Sequence, residues 1–160
     1  MLCLRSFCFN GSEFMHELLS SCPVLDTLSI RNCGLHETDS LVITATQLKH
    51  LEIDMILSCE DHCLREKNCK IGIYTPMLKS LKCRDHISNE YSIKDLSSLD
   101  EADIYMEVRK SYFEAAEEDV LIRFDWKKEF SMNVKKLLGG LCNAKSLTLS
   151  AWFVEVCFKS

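Results

Sequence analysis

Four side chains in one short stretch are of types that bind metal. They are Cys59, His62, Cys63 and Cys69, in Cys59-Glu60-Asp61-His62-Cys63-Leu64-Arg65-Glu66-Lys67-Asn68-Cys69. Thiolate and imidazole are the usual ligands of tetrahedral zinc sites. Such a site needs four ligands, and its fingerprint is a closely paired Cys-x-x-Cys set. No such pair occurs in this chain, so a second pair of ligands would have to come from elsewhere. The stretch is read as a thiol-bearing loop between repeated units, with no metal or other cofactor assigned. A zinc-binding or redox-regulatory domain centred on these four residues is the alternative.

Nucleophilic catalysis by cysteine and histidine needs the two within hydrogen-bond reach, in a pocket. Ten cysteines and five histidines give many accidental pairs, and no motif places one of them. Only five glycines are present, and none builds a phosphate-cradling loop. The serine-hydrolase elbow, the His-Glu-x-x-His helix and the calcium loop are all missing. The chain is therefore read as non-catalytic.

The bulk properties agree with a binding module. The 160 residues suffice for one domain with a core, and 47% hydrophobic with 27% charged residues is ordinary for a globular chain. Net charge is −5 with both signs interspersed, whereas a nucleic-acid surface needs a basic excess. The longest apolar runs are a few residues, too short to span a bilayer. The apolar start, Met1 to Phe9, has neither a basic leader nor a cleavage site, and is not read as a signal peptide. Cytoplasm or nucleus is the expected compartment, where thiols stay reduced. Cys22, Cys83 and Cys142 sit in apolar patterns and are expected to be buried as small hydrophobes.

The elements that must position any functional side chain come from an internal repeat. The pattern leucine, two residues, leucine, one residue, apolar occurs at Leu25-Leu28-Ile30, Leu48-Leu51-Ile53 and Leu78-Leu81-Cys83. It recurs with one small residue at Leu99-Ala102-Ile104 and Ala144-Leu147-Leu149. The first unit continues through Cys33 and Leu35 and completes the signature of a leucine-rich repeat. Each unit predicts a short strand whose leucines point inward. The Cys33 position turns the chain, and a small side chain there bonds the neighbouring backbone. The equivalent residues further on are Ile56 and His86.

Return segments differ between units. Ser12 is placed to cap a helix whose apolar face is Phe14, Met15, Leu18, Leu19 and Cys22, and Pro23 ends it. Val134, Leu137, Leu138 and Leu141 predict a second helix that finishes at Gly139-Gly140. Leu41-Val42-Ile43 and Ile71-Gly72-Ile73 predict extended segments on the back. Residues 106–130 are expected to be an insertion, its acidic stretch Glu107 to Asp119 forming a solvated face. Within it Val120, Ile122, Phe124 and Trp126 alternate as an extended segment would. Leu2-Cys3-Leu4 and Val154-Glu155-Val156 are expected as edge strands. Residues 1–160 together are read as one α/β domain of about five irregular repeats. It is expected to be a short curved solenoid, with a parallel sheet on its concave face and mixed helical and extended segments on its convex face.

Register then predicts the concave face. One row is Ser29, Glu52, Lys82, Asp103 and Thr148. A second is Arg31, Asp54, Arg84, Tyr105 and Ser150. A third is Thr27, His50, Ser80, Glu101 and Ser146. Solenoids commonly bind partners on this surface. Arg31, His50, Glu52, Asp54, Lys82, Arg84, Glu101, Asp103 and Tyr105 are the candidate binding residues. Their alternation of sign from strand to strand would equally serve cross-strand pairing.

The phrase Glu17-Leu18-Leu19-Ser20-Ser21-Cys22-Pro23-Val24-Leu25-Asp26-Thr27-Leu28-Ser29-Ile30-Arg31-Asn32-Cys33 resembles the repeats of plant F-box/FBD/LRR-repeat proteins. Thr75-Pro76-Met77-Leu78-Lys79-Ser80-Leu81-Lys82-Cys83 and Lys136 to Ser150 are similar to later repeats of that family. The resemblance covers most of the chain. It implies a protein-binding role like that of the substrate-choosing repeats in F-box subunits of cullin-type ubiquitin ligases. The substrate protein remains unidentified. No F-box precedes the repeats in this sequence and no complete FBD module follows. Binding of the ligase adaptor is therefore not expected, and a truncated product without independent function is a further alternative. Nucleic acid and membrane are not expected as partners.

Overall fold

The computed structural model describes residues 1–10, 13–36, 40–56, 69–108, 120–151 and 153–154. The chain runs through β1 (Leu2–Arg5), β2 (Cys8–Asn10), α1 (Glu13–Ser20), β3 (Thr27–Arg31), β4 (Gly34–His36) and β5 (Ser40–Thr44). It continues through β6 (His50–Asp54), β7 (Lys70–Tyr74), β8 (Ser80–His86), β9 (Glu90–Lys94) and β10 (Glu101–Glu107). It closes with α2 (Val120–Gly140) and β11 (Ser146–Leu149). The architecture is α/β with parallel sheets: a six-stranded sheet β1-β3-β6-β8-β10-β11, a three-stranded sheet β5-β7-β9 and a pair β2-β4.

The repeat dictates the large sheet directly. Leu28, Leu51, Leu81, Ala102 and Leu147 are register partners from strand to strand, and so are Ile30, Ile53, Cys83, Ile104 and Leu149. On every strand but the last these residues are buried. Alternation does the sorting, because successive side chains of a strand point to opposite faces. Strand β10, Glu101-Ala102-Asp103-Ile104-Tyr105-Met106-Glu107, buries Ala102, Ile104 and Met106 and leaves Glu101, Asp103 and Tyr105 exposed.

Four strands of the large sheet, β3, β8, β10 and β11, are entered in the same way. A tight turn brings Leu25, Leu78, Leu99 and Ala144 back to the carbonyls of Cys22, Thr75, Leu96 and Leu141. The next residue's carbonyl then accepts two amides from the following unit. Asp26 O takes the N–H groups of Lys49 and His50 at 2.8 and 3.0 Å, and Lys49 O takes those of Lys79 and Ser80 at 2.8 and 3.0 Å. Lys79 O binds Asp100 and Glu101, and Asp100 O binds Lys145 and Ser146, at 2.9 to 3.0 Å. These paired bonds satisfy the backbone where the ladder begins and hold neighbouring units in one register. The Cys33 thiol does the same at the far end of β3, reaching Arg31 O at 3.3 Å and Leu4 O at 3.7 Å.

A second layer covers the apolar side. It consists of α1 against β5, the sheet β5-β7-β9, and α2 against β9. Strands β5 and β7 are the extended segments anticipated at residues 41–43 and 71–73. Met15 and Leu19 of α1, with Phe14, Leu18 and Cys22 partly buried beside them, form the expected helical face. Strand β9, with Tyr91 buried, was not anticipated.

Several expectations change. Residues 120–126 are the start of α2, not an extended segment. Their alternation is also compatible with a helix, because Trp126, Phe130, Val134, Leu137 and Leu141 recur at i+3 and i+4. Phe130, Val134, Leu137 and Leu141 are all buried. Of the stretch 106–130, Met106 and Glu107 belong to β10, and 109–119 lie outside the described residues. Helix α2 does finish at Gly140, as expected, and that glycine also packs closely on β9. A Cβ built there would stand 2.4 Å from Ile93 Cβ, whereas one at Gly139 meets nothing within 4 Å. Val154 is helical, not an edge strand, and its N–H reaches Ser150 O at 3.2 Å. Burial of Phe153 drives that turn inward. Cys83 is buried as expected and Cys22 partly so, but Cys142 is exposed, because it follows the buried Leu141 into the turn after α2. Ser12, Glu155 and Val156 lie outside the described residues.

Candidate binding face

The three predicted rows exist as drawn. Ser29, Glu52, Lys82, Asp103 and Thr148 are successive register partners, as are Thr27, His50, Ser80, Glu101 and Ser146. Arg31, Asp54, Arg84 and Tyr105 form the third row. Ser150 ends it, with its N–H on Ile104 O at 3.0 Å. All nine candidate binding residues therefore share one side of the large sheet, which no other described element covers. His50, Lys82, Arg84, Glu101, Asp103 and Tyr105 are exposed, and Arg31, Glu52 and Asp54 are half-buried.

Part of this surface is spent on holding the strands together. The Arg31 guanidinium donates to Glu52 Oε2 through Nη2 at 2.5 Å and Nε at 3.1 Å, and Ser29 Oγ donates to the same oxygen at 3.0 Å. Partial burial pushes the Glu52 carboxyl up, but the Arg31 and Ser29 hydrogen bonds and the Arg31 charge outweigh it, leaving Glu52 below the ordinary glutamate range. Arg84 lies 4.0 Å from Asp54 and stacks over Tyr105 with its guanidinium carbon 5.1 Å from the ring centroid. At the strand entry Lys145 binds Asp100 at 2.6 Å, which holds Asp100 below its ordinary value.

Of the metal-ligating candidates, only Cys69 falls among the described residues. Cys59, His62 and Cys63 lie outside the described residues. Cys69 is buried, and its N–H donates to Asn89 Oδ1 at 3.0 Å. Among the described residues no three His, Cys, Asp or Glu side chains converge as a metal would require.

A polar cluster inside the core escaped the sequence reading. Asp85 continues the inward alternation of Leu81 and Cys83 and is fully buried. Its carboxylate accepts Tyr91 Oη at 2.5 Å, Asn89 Nδ2 at 2.9 Å to each oxygen, and the His86 N–H at 2.7 Å. The Cys83 thiol donates to Tyr91 Oη at 3.1 Å. Burial, then the Asp85 charge, pushes both the Tyr91 hydroxyl and the Cys83 thiol well above their ordinary values. The signal was present in the alternation itself, which assigns Asp85 to the core. These groups tie β8 to β9. Asn133 of α2 donates to Ser88 O at 3.3 Å beside them.

The fold and face define an α/β repeat protein in which, among the described residues, one side of a parallel sheet is left uncovered. Comparison with known proteins agrees. The chain is 32% identical over 134 residues to F-box/LRR-repeat protein At3g59210 of Arabidopsis thaliana, covering 84% of this chain and 26% of that protein. It is 30% identical over 143 residues to F-box/LRR-repeat protein At3g59200 of the same plant, covering 88% and 26%. It is also 32% identical over 97 residues to putative FBD-associated F-box protein At5g53635, covering 60% and 21%. The chain belongs to the plant F-box/FBD/LRR-repeat family, and it spans about a quarter of the length of the curated relatives it matches. No protein-family model matches it, and no solved structure does.

Proposed function

We propose that this chain is a non-catalytic protein-interaction module, a short curved leucine-rich-repeat solenoid that binds a protein on its concave sheet. The observation that carries this reading is the side of the six-stranded parallel sheet that no described residue covers. Parallel sheets are ordinarily covered on both faces, and their strands then read as continuous apolar runs. Here the strands alternate, and three rows of polar side chains face outward in register. A broad, rigid, charged surface of this kind suits recognition of another protein.

The role is that of the substrate-choosing repeats in F-box subunits of a cullin-type ubiquitin ligase, as the names of the Arabidopsis relatives suggest. Arg31, His50, Glu52, Asp54, Lys82, Arg84, Glu101, Asp103 and Tyr105 are the proposed contact set. Cytoplasm or nucleus is the proposed compartment, where the thiols of a cysteine-rich chain stay reduced. No helix among the described residues is long and apolar enough to cross a membrane.

Photo-crosslinking tests the reading. A photoreactive residue replaces Tyr105 on the large sheet in one variant and the exposed Ser92 of β9 in another, each incubated in plant extract. A discrete protein adduct from position 105 and none from position 92 is expected. Adducts from position 92 alone would count against it.

A further inference from the structure

The uncovered side of the large sheet has two halves of different electrostatic state. On the β3-β6-β8 half the carboxylates are answered within the sheet: Glu52 by Arg31 at 2.5 Å and Ser29 at 3.0 Å, and Asp54 by Arg84 at 4.0 Å. A partner binding there must first compete with those bonds. On the β10-β11 half, Glu101 and Asp103 are exposed, and among the described residues neither has an ion pair. Lys82 is the register partner of Asp103 but makes no ion pair with it. Strand β11 offers only Ser146 and Thr148 on this side, short and uncharged. Tyr105 completes the β10 row, 40% exposed, with Arg84 over its ring.

We propose that the β10-β11 half is the docking surface and that its occupant is an extended, basic protein segment with lysine or arginine at alternate residues. This deepens the proposed function and rests on the reading of the sheet as a binding face. Charge complementarity selects the occupant, because an acidic segment would meet two exposed carboxylates, neither of which makes an ion pair among the described residues. Spacing selects its conformation. Outward side chains on β10 recur every second residue, roughly 6–7 Å apart, which is also the repeat of an extended segment. The exposed part of the Tyr105 ring, with Arg84 already over it, adds apolar surface on which the alkyl stem of a long basic side chain packs. Ser146 and Thr148 leave room for long basic side chains to reach across from the β11 side.

The test uses the whole chain, isotope-labelled, titrated by NMR with a synthetic peptide of alternating lysine and serine. A peptide of alternating glutamate and serine is the control. Amide shifts centred on residues 101–105 and 146–148 are expected, with none from the acidic peptide. The variant Glu101→Gln/Asp103→Asn should bind roughly three- to tenfold more weakly, the scale of losing two exposed charge contacts. Glu13→Gln/Glu17→Gln on α1 removes the same net charge and should bind as the unaltered chain does. Undisturbed signals of buried Ile30, Ile53 and Ile104 establish that each variant is folded. Shifts centred on β3, β6 and β8 would overturn this inference while leaving the binding-face reading intact. Shifts centred on β5, β7 and β9 would count against both. An unweakened Glu101→Gln/Asp103→Asn variant, equal weakening in both variants, or no binding at all would overturn the inference.

Discussion

The hydroxyl of Tyr91 on β9 donates a 2.5 Å hydrogen bond to the buried carboxylate of Asp85 on β8. It links the large sheet, which carries the proposed binding face, to the layer behind it. Removing the hydroxyl in Tyr91→Phe strips one donor from a buried carboxylate and one acceptor from Cys83, at a cost of about 1–3 kcal/mol. Asp85→Ala should cost more, about 2–6 kcal/mol, because Asn89 and Tyr91 both lose their acceptor at roughly 1–3 kcal/mol each. Urea unfolding of the three proteins gives the order, and Asp85→Ala no less stable than Tyr91→Phe would contradict it.

The same pair predicts behaviour at high pH. Tyr91 and Cys83 titrate well above their ordinary values of roughly 10 and 8.5 in the folded state. The unfolded chain therefore loses these protons first. Their stabilising contribution is complete below the ordinary values and declines as pH rises past them. Unfolding midpoints should fall on the alkaline side, and less steeply in Tyr91→Phe. An identical slope in both proteins would rule out this role for Tyr91.

Acid should act through different groups. Glu52, Glu90 and Asp100 titrate below their ordinary values because Arg31 and Ser29, Lys136 and Lys145 respectively bond their charged forms. Their contribution is full above the ordinary carboxylate range, near 4, and is lost as pH falls through the lowered folded values. Arg31→Met should flatten the part due to Glu52 while leaving the part due to Asp100. The check is unfolding midpoint against pH from neutral downward, and an unchanged acid slope in Arg31→Met would refute the pairing.

The two adjacent glycines should respond in opposite senses. Gly140→Ala places a methyl 2.4 Å from Ile93 Cβ, and overpacking of this kind costs about 1–3 kcal/mol. Gly139→Ala meets nothing within 4 Å and should stabilise the helix by about 0.5–1 kcal/mol. Thermal midpoints of the two variants should fall on opposite sides of the parent. A stabilised Gly140→Ala would mean that α2 does not lie on Ile93 this closely.

The rows of the proposed binding face were legible because two strong regularities overlap in them. The leucine pattern sets the start of every strand, and period-two alternation then sets which side chains face out, so Arg31, Asp54, Arg84 and Tyr105 fall in one row without further information. The back layer was less legible because its units do not repeat. Strand β9 follows the polar turn Ser88-Asn89, and only Tyr91 and Ile93 mark it. The start of α2 reads equally as strand or helix until Phe130 and Val134 extend the stripe. The Asp85 cluster needs Asn89 and Tyr91 brought round by the β8-β9 turn, a contact no local pattern shows. The division of the face into answered and unanswered charges is likewise a matter of side-chain reach: Arg31 spans to Glu52, while Lys82 makes no ion pair with Asp103.

Covalent footprinting tests the central claim most directly, that a protein binds the uncovered side of the large sheet. Lysine acetylation rates are compared between the free chain and the complex it forms in plant extract. Lys82 lies exposed on that side and Lys94 exposed on β9 of the second sheet. The account predicts that Lys82 is protected at least severalfold in the complex while Lys94 reacts at its free rate. Protection of Lys94 with Lys82 unchanged would contradict it.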